Sequence, residues 1–150
     1  VSSSRIRRSL QDGKIAEANE LLGRNYYLRG KVEEGFRRGR TIGFPTANIH
    51  ADVEFVPRKG VYCTLARIGD LEYPSVTNIG INPTFADGTE IKIETYIFDF
   101  DASLYGQEVE VKLLKFLRDE KKFSGIEELK EQIQRDCIQA KAYFNEQKNN

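Results

Sequence analysis

The chain has 150 residues, with 23 lysines and arginines against 23 aspartates and glutamates. This length suits one domain of ordinary size, and the balanced charge provides no global field to attract nucleic acid or an anionic membrane. No apolar run is long enough to span a bilayer, and the start of the chain lacks the layout of a signal peptide. We therefore expect a cytoplasmic protein that binds neither nucleic acid nor a membrane.

The first 24 residues predict two short helices. The first, over residues 5–10, ends at Asp12-Gly13, and the second, over residues 14–22, has an apolar face and ends at Gly23. Because the chain starts at Val1 and contains no methionine, we expect it to be a piece of a longer protein.

Six segments have the alternation or the β-branched content of strands. They are residues 26–33, 47–49, 60–68, 71–81, 90–100 and 108–117. Gly69-Asp70 and Asp87-Gly88 predict hairpin turns, and Pro74 predicts an edge or a bulge in the fourth strand. Strands in succession without intervening helices favour a small closed six-stranded antiparallel, Greek-key-like barrel, and thus a mainly β fold.

Residues 124–144 predict a long C-terminal helix. Ser124 and Glu127 have the spacing of a capping box, and a polar tail over residues 145–150 is expected to fray. An apolar stripe follows one face of the helix and should pack on the barrel. The stripe consists of Ile126, Leu129, Ile133, Cys137, Ala140 and Phe144.

The two cysteines, Cys63 and Cys137, are far apart in sequence. In a cytoplasmic chain we expect both to be buried small hydrophobes without a disulfide. The single histidine, His50, has no Cys/His cluster around it that would bind zinc, and we assign it no catalytic role.

A stretch rich in glycine and arginine precedes the second strand. Its glycines let backbone N–H groups approach a polyanion such as a nucleotide phosphate, arginine can neutralise that ligand, and proline stiffens the exit. A solvated turn before a strand explains the composition equally well. The residues concerned are Gly35, Gly39, Arg40, Gly43 and Pro45.

Thr46 and Asn48 follow directly and offer two neutral oxygens. In an extended segment, residues two apart point to the same side. Mg²⁺ takes such oxygen ligands together with phosphate oxygens and water. The pair is therefore a candidate metal site.

Residues 39–48, Gly-Arg-Thr-Ile-Gly-Phe-Pro-Thr-Ala-Asn, closely resemble the signature of riboflavin kinases, including the kinase half of bifunctional bacterial FAD synthetases. Residues 93–100 resemble the family strand whose glutamate takes the proton from the ribityl 5′-hydroxyl, and Glu94 stands at that position. Without the resemblance, a lone glutamate in a strand is usually part of a solvated face.

Two further segments are similar to family loops. Residues 101–106, which include Tyr105, resemble a loop on the nucleotide side, and residues 117–123 resemble a flap that covers the flavin, with Arg118 at its basic position. Residues 1–7 resemble a segment near the end of the adenylyltransferase domain of FAD synthetases, with Ser4 where that family usually has threonine.

The resemblance implies an enzyme that transfers the γ-phosphoryl group of ATP to riboflavin, giving FMN and ADP with Mg²⁺. It implies a remnant of a missing adenylyltransferase domain over residues 1–24 and a kinase domain over residues 25–150. The implied base is Glu94, the flavin contacts are Glu94 and Arg118, and the metal ligands are Thr46 and Asn48. The implied nucleotide contacts are Gly35, Gly39, Arg40, Gly43, Pro45, Thr46 and Tyr105.

A different class of function remains open, namely a small barrel that binds flavin or an oligonucleotide without turnover. The zero net charge argues against the oligonucleotide. A flavin-binding module would not need both the Pro-Thr-Ala-Asn sequence and Glu94.

Overall fold

In the computed structural model, the structure describes residues 3–33, 46–51, 53, 55–83, 89–100 and 102–148. The elements in chain order are α1 (Ser3–Gln11), α2 (Ile15–Leu22), β1 (Tyr27–Glu33), β2 (Ala47–His50), β3 (Gly60–Ile68), β4 (Leu71–Pro83), β5 (Thr89–Ile97), β6 (Glu108–Arg118) and α3 (Ile126–Lys148). Within these described ranges, no helix combines the length and apolarity that crossing a bilayer requires.

The six strands form the closed antiparallel barrel that the sequence predicts. Their order is β1-β2-β5-β4-β3-β6, and each neighbouring pair is antiparallel. β3 and β4 are joined by the predicted turn at Gly69-Asp70, where Gly69 has a φ of 62°. β4 also pairs with β5, although Asp87-Gly88 lies outside the described residues. No bulge occurs at Pro74, which lies opposite Leu65; on its other side the ladder with β5 starts one residue later, so Pro74 is at a local edge and its missing N–H costs little.

The interior of the barrel is filled by side chains that alternate inward along the strands, as period-2 patterning requires. The two short helices cover one end, because their apolar residues join the same hydrophobic cluster. Members of that cluster include Leu10, Ile15 and Ala18 from the helices and Leu28, Tyr62, Ile79, Ile93 and Val111 from the strands. Asn19 of α2 fixes the docking, since its amide donates to the Leu113 carbonyl at 3.0 Å and accepts from the Tyr26 N–H at 2.7 Å.

Four buried hydroxyls form a chain across β3, β4 and β5. The oxygens of Ser75 and Thr64 are 2.7 Å apart, those of Thr64 and Thr77 are 2.9 Å apart, and those of Thr77 and Thr95 are 2.9 Å apart. Ser75 Oγ also donates to the Thr64 carbonyl at 3.2 Å. Because the Ser75 hydrogen is directed to this carbonyl, Thr64 donates to Ser75, Thr77 donates to Thr64, and Thr95 donates to Thr77.

α3 covers part of the outside of the barrel and creates a second hydrophobic cluster. Cys137 and Ala140 of α3 pack there with Cys63 and Val76, and both cysteines are buried and free, as predicted. Burial raises the pKa of Cys63 to about 12 and that of Cys137 to about 11, so both remain thiols.

Several predicted details at element ends are wrong. α3 starts at Ile126, so the serine at 124 pairs with Glu128 at 2.6 Å and not with the expected Glu127. Ile126 is 49% exposed and does not join the packed stripe. The helix continues to Lys148, through most of the tail that was expected to fray, and β5 stops at Ile97 because the turn at residues 98–99 follows, with Asp99 at φ 54°.

Candidate active site

Three neighbouring strands bring the candidate residues together on the outside of the barrel. The register pairs Asn48 of β2 with Glu94 of β5, and Glu94 with Asn78 of β4. Cβ atoms directly opposite each other on antiparallel strands are about 4.5–5.5 Å apart. Because Ile93 and Thr95 are each 1% exposed and face the interior, Glu94 faces outward. Its carboxylate is therefore flanked by an amide side chain on each side.

Thr46 lies directly before β2 and is half-buried. It is two residues from Asn48, so an extended chain carries both side chains on the outer face. The two predicted metal ligands thus lie beside the predicted base, on the β2 side of it.

The outward-facing residues Asn48, Glu94 and Asn78 form a polar row across three strands, and the surfaces on its two sides differ. Along β5 and β4 in one direction, Tyr96 and Val76 pack in the cluster beneath α3. Burial raises the pKa of Tyr96, so its phenol stays neutral near pH 7. In the other direction, Lys92 lies opposite Gly80. The polar row is consequently bordered on one side by residues packed beneath α3 and on the other side by Lys92 and Gly80.

Lys92 contacts the predicted base directly. Its Nζ is 2.7 Å from Oε1 of Glu94, and the two side chains are 48% and 26% exposed. Residues two apart in a strand share a face, which explains the pairing. Glu94 thus has a positive partner on its own strand.

Glu120 reaches the same surface from the segment that follows β6. A Cβ added to Gly80 would collide with the Glu120 carboxylate, so the carboxylate lies over the space that glycine leaves. Gly80 is the neighbour of Lys92 in the register. Glu120 is therefore close to the side of the polar row that Lys92 and Gly80 border.

Arg118 ends β6 and is held by α3. Its Nε and one terminal nitrogen each donate to the Asp136 carboxylate at 2.8 Å, and Asp136 is only 2% exposed. Gln132 donates to the same carboxylate at 3.0 Å. The register places Arg118 opposite Val61 and Val61 opposite Asn78, so Arg118 is aligned with the polar row, two strands away from Asn78. Its flavin contact stays a prediction.

Tyr105 lies in the connection between β5 and β6 and is 66% exposed. The next residue, Gly106, donates its N–H to the Val32 carbonyl at 2.9 Å, which places this connection beside the end of β1. The glycine- and arginine-rich stretch follows β1 in sequence. Five predicted nucleotide contacts in it lie outside the described residues: Gly35, Gly39, Arg40, Gly43 and Pro45.

The sequence analysis assigned no individual role to three residues of this surface, namely Asn78, Lys92 and Glu120. Asn78 could not be found from the predicted Asp87-Gly88 turn, because counting back from a two-residue turn there places Ile81 opposite Glu94, whereas the register places Asn78 there. Lys92 carried a signal in its two-residue spacing from Glu94. Glu120 belongs to residues 117–123, which resemble the family flap, but its place over Gly80 depends on how the chain turns after β6.

Curated proteins are similar in sequence to almost the whole of this chain. The chain is 43% identical over 145 residues to a bifunctional riboflavin kinase/FMN adenylyltransferase of Listeria monocytogenes, and 44% identical over 148 residues to one of Bacillus subtilis. These alignments cover 96% and 97% of the chain but 46% and 47% of the relatives. The chain thus spans about half the length of the curated relatives it matches.

Two solved structures have related folds. A Streptococcus pneumoniae crystal structure described as a macrolide-efflux protein matches 94% of this chain and 46% of its own, at 39% identity and a TM-score of 0.88. The riboflavin kinase of Trypanosoma brucei matches 79% of both chains at 23% identity and a TM-score of 0.55, which supports the fold alone. The flavokinase (riboflavin kinase) family model matches residues 22–144, which include all six strands and most of α3. The chain therefore belongs to the flavokinase family.

Proposed function

We propose that this chain phosphorylates riboflavin at the ribityl 5′-hydroxyl, using ATP and giving FMN and ADP. The observation that carries the proposal is the outward-facing Glu94 carboxylate between Asn48 and Asn78, in a chain of the riboflavin kinase family. The amides on the two sides of the carboxylate can each form hydrogen bonds with one of the two substrates.

Glu94 acts as the general base. The ribityl oxygen forms a bond to the γ-phosphorus while the bond from that phosphorus to the ADP oxygen breaks, and the hydroxyl proton passes to the carboxylate. A positioned base of this kind contributes roughly 10²- to 10⁴-fold in rate. Lys92, 2.7 Å away, keeps a positive charge beside the carboxylate before substrate binds.

The residues before and within β2 fit a magnesium ion. Thr46 and Asn48 offer neutral oxygens on one face, and Mg²⁺ in nucleotide sites commonly takes one or two protein ligands together with phosphate oxygens. When bound, the ion would neutralise charge on the phosphates during transfer. Because both ligands are neutral, they leave the charge of the ion available to the phosphates.

The remaining assignments rest on the family resemblance. Tyr105 and the stretch with Gly35, Gly39 and Arg40 would contact the nucleotide on the β2 side. Arg118 would contact the flavin on the β4 side, with its guanidinium oriented by Asp136. Closure of these segments would exclude water from the transferring group.

We also propose that residues 1–24 come from the end of an adenylyltransferase domain and that residues 25–150 form the kinase domain. The relatives are about twice as long as this chain, which leaves room for such a domain, and the family model begins at residue 22. Adenylyl transfer needs a nucleotide site of its own, usually built at the strand ends of a βαβ unit. We therefore assign the first step alone, formation of FMN, to this chain.

The test is ADP release in the presence of riboflavin, ATP and Mg²⁺, with FMN identified by chromatography. Glu94→Gln keeps the shape and polarity of the side chain but cannot take the proton, so we expect kcat to fall by about two orders of magnitude or more with a small change in KM. Glu72→Gln is the matched control, because Glu72 is also a strand glutamate paired with a lysine, Lys112. An intact kcat in Glu94→Gln, or equal losses in both variants, would remove Glu94 as the base.

A further inference from the structure

The three charged residues at positions 118–120 contact three different parts of the molecule. The first pairs with Asp136 of α3, the second pairs with Arg58 in the connection before β3, and the third lies over Gly80 of β4. The junction between β6 and α3 is thus fixed on three sides.

Arg58 makes the most contacts of these partners. Its Nε is 2.8 Å from Oδ1 of Asp119, and a terminal nitrogen is 2.9 Å from Oδ2, which is the bidentate geometry of a strong arginine–carboxylate pair. The other terminal nitrogen donates to the Asp12 carbonyl at 3.0 Å. The guanidinium also lies 4.8 Å from the centre of the Phe116 ring.

The corner between α1 and α2 is tied to this arginine through backbone contacts. The Arg58 N–H donates to the Leu10 carbonyl at 3.0 Å, and Tyr62 Oη donates to the Arg58 carbonyl at 2.5 Å. A Cβ on Gly13 would be 3.2 Å from the Arg58 side chain, and Gly13 has a φ of 78°, so the corner fits closely around it.

An exposed ion pair alone has little effect, and the side chains of Arg58 and Asp119 are 39% and 64% exposed. This pair differs because it is bidentate and belongs to a network in which the guanidinium contacts two other groups. Fixed geometry in such a network keeps Asp119, and with it the following Glu120, in one place.

We propose that Arg58 is a positioning residue for the kinase site. Through Asp119 it holds Glu120 over Gly80, beside the Lys92–Glu94 pair, and so connects the corner between α1 and α2 to the active surface. The inference rests on the proposed function, in which the nucleotide lies on the β2 side of Glu94 and riboflavin on the β4 side. Gly80 belongs to β4, so the network acts on riboflavin binding. A segment that is ordered before binding loses less entropy when the ligand arrives.

The test is the variant Asp119→Asn in the complete chain, which removes the charge of the pair at nearly constant size. We expect the KM for riboflavin to rise about three- to tenfold, with kcat and the KM for ATP changed less than about twofold. Amide hydrogen exchange over residues 119–125 should become faster. A purely structural role would lower the unfolding midpoint without separating the two KM values.

The control is Arg29→Gln, which breaks a 2.8 Å pair with Glu110 on β1 and β6, away from the junction. It should change neither KM. An unchanged riboflavin KM in Asp119→Asn would overturn the inference, and so would an equal rise in both KM values. If the wild-type chain fails to phosphorylate riboflavin, the proposed function fails and the inference fails with it. If the wild-type chain is active and Asp119→Asn leaves the KM for riboflavin unchanged, the inference about Arg58 fails but the proposed function stands.

Discussion

The direction of the buried hydroxyl chain predicts an unequal cost for two similar substitutions. With the Ser75 hydrogen directed to the Thr64 carbonyl, Thr95 is the donor end of the chain, and Thr77 accepts from Thr95 and donates to Thr64. Both are at most 1% exposed. Replacing either threonine with valine keeps the side-chain shape, so neither change opens a cavity.

The expected magnitudes follow from what each substitution leaves behind. Thr95→Val removes one hydrogen bond. The Thr77 oxygen loses a donor but no buried hydrogen loses its acceptor, so the cost is about 1 kcal/mol. Thr77→Val removes two hydrogen bonds and leaves the buried Thr95 hydroxyl without an acceptor, at a cost of about 2–4 kcal/mol. The double variant removes that orphaned hydroxyl and should be more stable than Thr77→Val alone by about 1 kcal/mol or more.

Urea denaturation measures this, since the free energy of unfolding extrapolates linearly and the three variants should share one m-value. The order of stability should be Thr95→Val, then the double variant, then Thr77→Val. The reasoning is refuted if Thr77→Val is as stable as Thr95→Val, or if the double variant is the least stable of the three.

Two further outcomes test the proposed chemistry. Asn48→Ala should abolish phosphorylation at limiting Mg²⁺ while unfolding remains cooperative, because a lost metal ligand does not disturb the buried face of β2; undiminished turnover would exclude Asn48 as a ligand. The chain should also stop at FMN when supplied with riboflavin, ATP and Mg²⁺, and chromatography that shows FAD accumulating in proportion to enzyme would contradict this.

The sequence predicted the barrel because its strands have alternation or β-branched content and the turn between β3 and β4 carries a glycine. β3 is found at its predicted bounds, Gly60–Ile68, and the turn after it is a Gly-Asp pair. Element ends were less predictable. β5 ends at Ile97 where residues 98–99 turn, and the apolar Phe98 still contributes to the outer cluster, so its hydrophobicity suggested a longer strand.

The candidate site was predictable where it depends on one segment and less so where it depends on register. Glu94 and Asn48 were identified from their own surroundings in sequence, but their alignment with Asn78 follows from two strand pairings. The flavin contact of Arg118 stays a prediction, and what the sequence did not predict is that its guanidinium pairs with Asp136, eighteen positions further along the chain. Such pairings depend on how α3 packs, which no local pattern encodes.

The strand order has a consequence for how the protein acquires activity during synthesis. β3, β4 and β5 are consecutive antiparallel neighbours and can assemble locally, and β1 can pair with β2, but the β1–β2 pair joins the rest of the barrel only through β5 and β6, which are made much later. Closing such long loops is slow, so we expect the barrel to close last. Asn48 meets Glu94 only when β2 docks on β5. A nascent or partly folded chain therefore has its base but not its metal ligands beside it, and activity should appear only with barrel closure.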